Sequence, residues 1–198
     1  MKVVLAGAYG NLGADVFRSL IGDGHEVVAL DMMERDIGIT TGFTFIKVDV
    51  TDPKTLNGVC DGADAVITTV GLTKASNEVT NYDIDFHGNL NLLKEAIRAK
   101  VKHFVYISVL KADMAPKVPM LHAKYLFEQA LKKSGLTYVI HRPTGHLWNR
   151  SSCRFRGKQS IAKQLFLFNK TNISIHQSEC HHRSQCYTYS YTLKCDLA

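Results

Sequence analysis

The 198-residue sequence predicts an α/β fold: a mostly parallel sheet with helices covering both faces. Three observations carry that prediction. Short β-rich apolar runs alternate with amphipathic helical patterns through the first 146 residues. The first of these runs turns through closely spaced glycines straight into a helical stretch. Hydrophobic content of 45% and charged content of 21% are those of a globular chain, long enough for one sizeable core.

The elements follow in order. Residues 1–6 form an apolar first strand, and a helix begins near Asn11 and runs to about Ile21. Residues 27–30 are a second strand closed by Asp31, and residues 43–48 a third. Asp52 is placed to cap a short helix with Pro53 at its first position, reaching about Val59. Residues 65–70 are a fourth strand, broken by Gly71. Residues 82–100 hold the longest helical pattern, with Ile84, Phe86 or His87, Leu90, Leu93 and Ile97 on one face. Residues 104–108 read as a fifth strand. Residues 121–133 read as a helix that Ser134-Gly135 stops. Residues 137–140 are a sixth strand, leading into His141-Arg142-Pro143-Thr144-Gly145.

The glycine turn carries the first functional signal. A buried strand entering a helix through Gly7, Gly10 and Gly13 is the layout a dinucleotide pyrophosphate needs. Glycine lets the chain turn tightly and lets phosphates approach the backbone. The helix start presents unpaired N–H groups and the positive end of its dipole. The loop Gly7–Gly13, with Tyr9, Asn11 and Leu12 within it, is therefore the expected pyrophosphate cradle. Asp31, at the end of the second strand, is placed to accept the adenosine ribose hydroxyls, which favours NAD over NADP. Arg35 would favour the opposite if its loop folds back. A plain turn role for Asp31 stays open.

Charge argues against nucleic-acid and membrane partners. The formal net charge is +6, but residues 147–198 hold eight Lys or Arg against two acids, so the first 146 residues are neutral. The N-terminal apolar run is too short and lacks the basic flank of a signal peptide. No stretch approaches the roughly 18 apolar residues of a membrane span, so the expected location is cytoplasmic. The tail, residues 147–198, is basic, rich in Ser, Cys and His, and poor in periodicity. It is expected to be irregular, either a divergent extension or a translated frameshift or intron. Cys180, His181, His182 and Cys186 lack metal-ligand spacing, so no metal is expected. Tyr187, Tyr189 and Tyr191 alternate like a strand, but no basic platform accompanies them. Cys60 reads as a packing residue.

Taken together, Gly7-x-x-Gly10-x-x-Gly13, Asp49-Val50, the run from Asp85 to Leu93, Phe104 to Ser108 and Arg142-Pro143-Thr144-Gly145 resemble the short-chain dehydrogenase/reductase superfamily. The atypical, NmrA-like branch is the nearest match, over residues 1–146. The resemblance implies a Rossmann-like doubly wound sheet with strand order 3-2-1-4-5-6. It implies that Asp49 and Val50 flank the adenine and that Thr69, Val70 and Gly71 line the nicotinamide ribose. Ser108 would be the active-site serine. Lys124 would hold the ribose and assist catalysis, and Pro143 and Thr144 would close over the nicotinamide.

One departure stands out. Four residues before Lys124 the family places its catalytic tyrosine, and this chain has Met120. A thioether moves no proton. His122 is near enough in sequence to be a substitute acid, but on a helix it points about 200° away from Met120, which favours a surface or packing role. Two functions therefore stay open: an NAD(P)-dependent oxidoreductase on a small organic substrate, and a non-catalytic dinucleotide-sensing regulator.

Overall fold

The computed structural model describes residues 1–72, 76, 78–114 and 116–143, and the backbone of strand residues 177–178 and 188–193. Its sheet contains six parallel strands: β1 (Lys2–Ala6), β2 (Glu26–Asp31), β3 (Phe43–Lys47), β4 (Ala65–Thr68), β5 (His103–Ile107) and β6 (Thr137–Pro143). They lie in the order β3-β2-β1-β4-β5-β6. The predicted Rossmann-like order therefore holds. β4 is buried along its whole length and β1 over its last four residues, as expected of central parallel strands covered on both faces. β3, at the edge, is only partly covered.

The sheet continues beyond β6. Strand β8 (Thr188–Leu193) pairs antiparallel with β6, setting Tyr191 opposite Ile140, and the short β7 (Gln177–Ser178) pairs with β8. The segment expected to be irregular thus contributes two strands, β8 along the tyrosine alternation noted in the sequence. Tyr187 and the Cys180–Cys186 cluster lie outside the described residues.

Helix α1 (Asn11–Gly22) buries Val16, Phe17 and Leu20 at helical spacing against Val3, Leu5, Val27 and Ala29 on one sheet face. The other face takes Leu92, Leu93 and Ala96 of α2 (Asn89–Arg98) and Phe127 and Leu131 of α3 (Pro119–Lys132). Asp52 caps a 3₁₀ turn, its carboxylate accepting the Lys54 N–H at 3.0 Å, as predicted. The turn stops at Leu56, short of the expected Val59, because Gly58 adopts a positive φ of 81°.

The long helix expected from residue 82 is two things. Tyr82–Gly88 is a π-helical segment, and regular α-helix begins at Asn89. The wider turn brings two polar side chains inward. Asn89, 1% exposed, accepts from the Thr68 hydroxyl at 2.6 Å and donates to the Asp85 carbonyl at 3.1 Å, clamping the segment to the end of β4. No helix among the described residues is long and apolar enough to cross a membrane.

Candidate functional site

The site sits where β1, β2 and β4 end. Gly7 leaves β1 with φ +76°, and its N–H donates to the Leu30 carbonyl at 2.9 Å, carrying the loop across the end of β2. A Cβ on Gly7 would stand 2.7 Å from the Thr69 hydroxyl, and one on Gly13 only 1.8 Å from the Gly7 carbonyl oxygen. The fold itself demands these two glycines. Gly10 is different: a Cβ there would meet only the Gly7 oxygen, at 3.3 Å. It is exposed at the start of α1, where no side chain caps the helix and no acid sits in the first turn. That helix end is open to an anion.

Asp31 is fixed beside this cradle. One carboxylate oxygen accepts the Tyr9 N–H at 2.9 Å and the other the Met32 N–H at 2.8 Å. Tyr9 is itself pinned edge-on between Phe17 and Phe45, with ring centroids at 5.9 and 5.7 Å. Burial, then the neighbouring Glu34 and Asp31 carboxylates, push its phenol pKa up.

One cleft runs along these strand ends. Gly7, Tyr9, Gly10, Asp31, Asp49, Val50, Thr69, Val70 and Gly71 all line it, together with Arg35. Sequence reasoning missed Leu30, Met32, Val48, Leu72 and Ile84, which complete the lining. Asp49 and Val50 are held in place from two sides. The Asp49 carboxylate accepts from Thr51, and the Val50 carbonyl accepts from Asn91 Nδ2 at 3.0 Å. Asn11 opens α1 at the surface, Leu12 packs partly against the core and Gly13 is buried. Thr144 lies outside the described residues.

The two residues expected to be catalytic are not in the cleft lining. Both are buried against partners the sequence did not disclose. The Lys124 ammonium lies 2.8 Å from Asp85 Oδ1, under Gly71, where an added Cβ would meet both groups at under 3 Å. Asp85 Oδ2 accepts from Asn81 Nδ2 and from the Leu72 N–H. The Ser108 hydroxyl donates to Glu128 Oε1 at 2.5 Å, and Arg142 grips the same carboxylate with two N–H groups. Glu128 is fully buried. Pro143 ends β6, its carbonyl accepting the Leu110 N–H at 2.9 Å.

Tyr106 lies between these two charge groups. The Lys124 ammonium sits 5.5 Å from its ring centroid, and its hydroxyl has no hydrogen-bond partner among the described residues. Burial first, and then the Asp85 and Glu128 carboxylates, hold its pKa well above the ordinary phenol value.

Met120 lies in the opening turn of α3, one turn before Lys124. His122 is not a bare packing residue. Its Nδ1 lies 3.0 Å from the Tyr82 hydroxyl, with the two rings edge to face at 5.9 Å.

Residues 7–166 match a family model described as NAD(P)H-binding, a stretch that runs past residue 146, where the resemblance was expected to stop. The photosystem II assembly factor Ycf39 of Synechocystis sp. is 32% identical over 149 residues, covering 74% of this chain and 45% of that protein. The chain spans about half the length of the curated relatives it matches. The fold is also that of the Bordetella bronchiseptica enzyme WbmH, solved in complex with NAD+. The TM-score is 0.65 at 22% identity, over 71% of this chain and 55% of that one. Escherichia coli NADPH-dependent quinone oxidoreductase QOR2, complexed with NADPH, gives a TM-score of 0.56 at 23% identity, over 69% and 46%.

Proposed function

Because the chain belongs to the NAD(P)H-binding family, in the NmrA-like branch of the short-chain dehydrogenase/reductase superfamily, we propose that it is an oxidoreductase using NAD(H) on a small organic substrate. The observation that carries this reading is the cradle itself. Gly10 is open above an uncapped helix start, and the Asp31 carboxylate is fixed beside it. A pyrophosphate fits the first and a ribose diol the second. Bound there, the dinucleotide supplies hydride chemistry.

The chain's own residues divide the work. Gly7, Tyr9, Gly10, Asn11, Leu12 and Gly13 form the phosphate end. Asp49 and Val50 flank the adenine, and Thr69, Val70 and Gly71 bound the nicotinamide ribose. Lys124 acts from beneath Gly71 as a fixed positive charge, and Ser108 sets the end of β5 through Glu128. Pro143 borders the nicotinamide end. Asp31 repels a 2′-phosphate; Arg35, in the same cleft, is the group that would attract one.

A second reading, a dinucleotide-sensing protein without turnover, is favoured by one specific observation. The Ser108 hydroxyl and the Lys124 ammonium are both committed to internal carboxylates, and Met120 carries no proton. Calorimetric titration with NADH tests what the two readings share. Wild type should bind, and Gly10→Val, which places a branched side chain over the helix start, should lose at least about tenfold in affinity, roughly 1.4 kcal/mol. Equal affinity in the two proteins removes the basis for both. Oxidation of bound NADH by a dicarbonyl acceptor then separates them.

A further inference from the structure

We propose that Tyr82 and His122 form a proton-carrying pair on the substrate side of the cofactor cleft, taking the place of the acid that Met120 cannot be. This rests on the oxidoreductase reading above. The pair is built by two elements that follow the neighbouring strands β4 and β5: Tyr82 opens the π-helical segment, and His122 lies in the opening turn of α3. The His122 N–H closes the first backbone bond of that helix, to the Val118 carbonyl at 3.0 Å, which fixes the ring's origin.

The neighbours of both residues reach the cleft wall. Asn81 and Asp85, on either side of Tyr82, bond to the backbone of Leu72, and Ile84 lines the cleft directly. Two residues beyond His122, Lys124 reaches the underside of Gly71. Sequence neighbours of the pair thus contact the Gly71–Leu72 end of the cleft, while the two rings themselves stand outside its lining. Unlike Asp85 and Glu128, which are fully buried, Tyr82 and His122 are both partly exposed. The charged neighbours on the two segments are Asp83, held by Thr80, the Asp85–Lys124 ion pair, and the exposed His87.

A tie whose only task was to join two helices needs no titratable partner. A phenol facing an imidazole at 3.0 Å puts two groups that can each give and accept a proton in direct hydrogen-bond contact. In the proposed step a carbonyl carbon takes up the hydride that a reduced dinucleotide held in the cleft would supply. The carbonyl oxygen takes the Tyr82 proton and becomes a hydroxyl. The phenolate left behind recovers a proton from the Nδ1 of protonated His122, and water recharges the imidazole. Tyr82 touches the substrate; His122 acts through it.

The experiment uses the full chain, NADH and phenanthrenequinone as carbonyl probe. Calorimetry reads NADH affinity, proton NMR reads the histidine rings, and single-turnover absorbance reads NADH oxidation. Saturating NADH should shift the His122 ring signals and leave those of His25, which sits beside Met1, in place. Tyr82→Phe and His122→Gln should each bind NADH within twofold of wild type and slow the turnover about 100-fold, within the usual range for a lost general acid. Glutamine keeps a hydrogen bond to the phenol but cannot relay a proton as an acid or base, so it should be as slow as His122→Ala. Unmoved His122 signals in the NADH-loaded protein overturn the proposal. So does a Tyr82→Phe rate within twofold of wild type, or a wild type that binds NADH and leaves the probe unreduced. Failure of wild type to bind NADH at all is a different result, and it removes the oxidoreductase reading instead.

Discussion

The Lys124 ammonium and Asp85 Oδ1 stand 2.8 Å apart, with the lysine side chain 9% exposed and the aspartate fully enclosed. This pair joins α3 to the π-helical segment directly below Gly71. Removing one partner strands the other's charge in a dry site, at a cost of about 3–5 kcal/mol. Asp85→Asn and Lys124→Met should each lose about that much in urea unfolding. Because the double variant leaves no unpaired charge, it should recover most of the loss. Additive losses in the double variant would show that the two groups do not act as a pair.

The glycines of the cradle should separate by task. Gly13→Ala forces a methyl against the Gly7 carbonyl, so the protein without cofactor should lose about 3 kcal/mol. Gly10→Ala meets only one atom, at 3.3 Å, and should cost under ~1 kcal/mol. Thermal melts of the two variants, compared with wild type, read this directly. A larger loss in Gly10→Ala would reverse the assignment.

Cofactor choice should follow Asp31. Its fixed carboxylate would face a 2′-phosphate, so NADH should bind more tightly than NADPH by about 1–3 kcal/mol, or 5- to 150-fold. Asp31→Ala should narrow that gap. A wild type that prefers NADPH would give the deciding role to Arg35, across the same cleft.

Acid should destabilise the protein through His141. Burial lowers this histidine's pKa to about 4 in the folded chain, against about 6.5 when unfolded. Between those values the unfolded chain binds the extra proton, so stability is full above about pH 6.5 and falls as the pH drops toward 4. The drop attributable to His141 is at most about 3 kcal/mol. Denaturant unfolding across this range should show a shallower slope in His141→Leu than in wild type. Parallel slopes would assign the acid sensitivity elsewhere, with His25 and His103, also lowered by burial, as the next candidates.

The sheet was legible because β1, β2, β4, β5 and β6 are short apolar runs buried on both faces, and runs of that kind leave few other assignments. The cleft was legible for a related reason: a glycine loop and the residues at strand ends converge once the strand order is known. Asp85, Glu128 and Tyr82 were not. Each is a polar residue inside a pattern read for its apolar period. Their partners, Lys124, Ser108 with Arg142, and His122, come from other elements across the fold. The π-helical turn was equally hidden, because a window tuned to 3.6 residues per turn averages over one wide turn. Ser108 and Lys124 entered by family likeness alone, which located them without revealing the carboxylates that bind them. β8 pairs with β6 from far along the chain and β7 pairs only with β8; the tyrosine alternation hinted at β8 and at nothing else there.

The surplus residue in the Tyr82–Gly88 turn makes that segment an adapter between two angular registers. Each helical residue advances by about 100°. Deleting one residue late in the segment, after Asp85, would swing what precedes it around the axis of α2 by about that angle. Asp85 would leave Lys124 and Tyr82 would leave His122, while Leu92, Leu93 and Ala96 kept their seats in the core. Chemistry at the cleft and packing beneath the sheet are thereby uncoupled, so this one turn lets the site be re-aimed without the core being rebuilt.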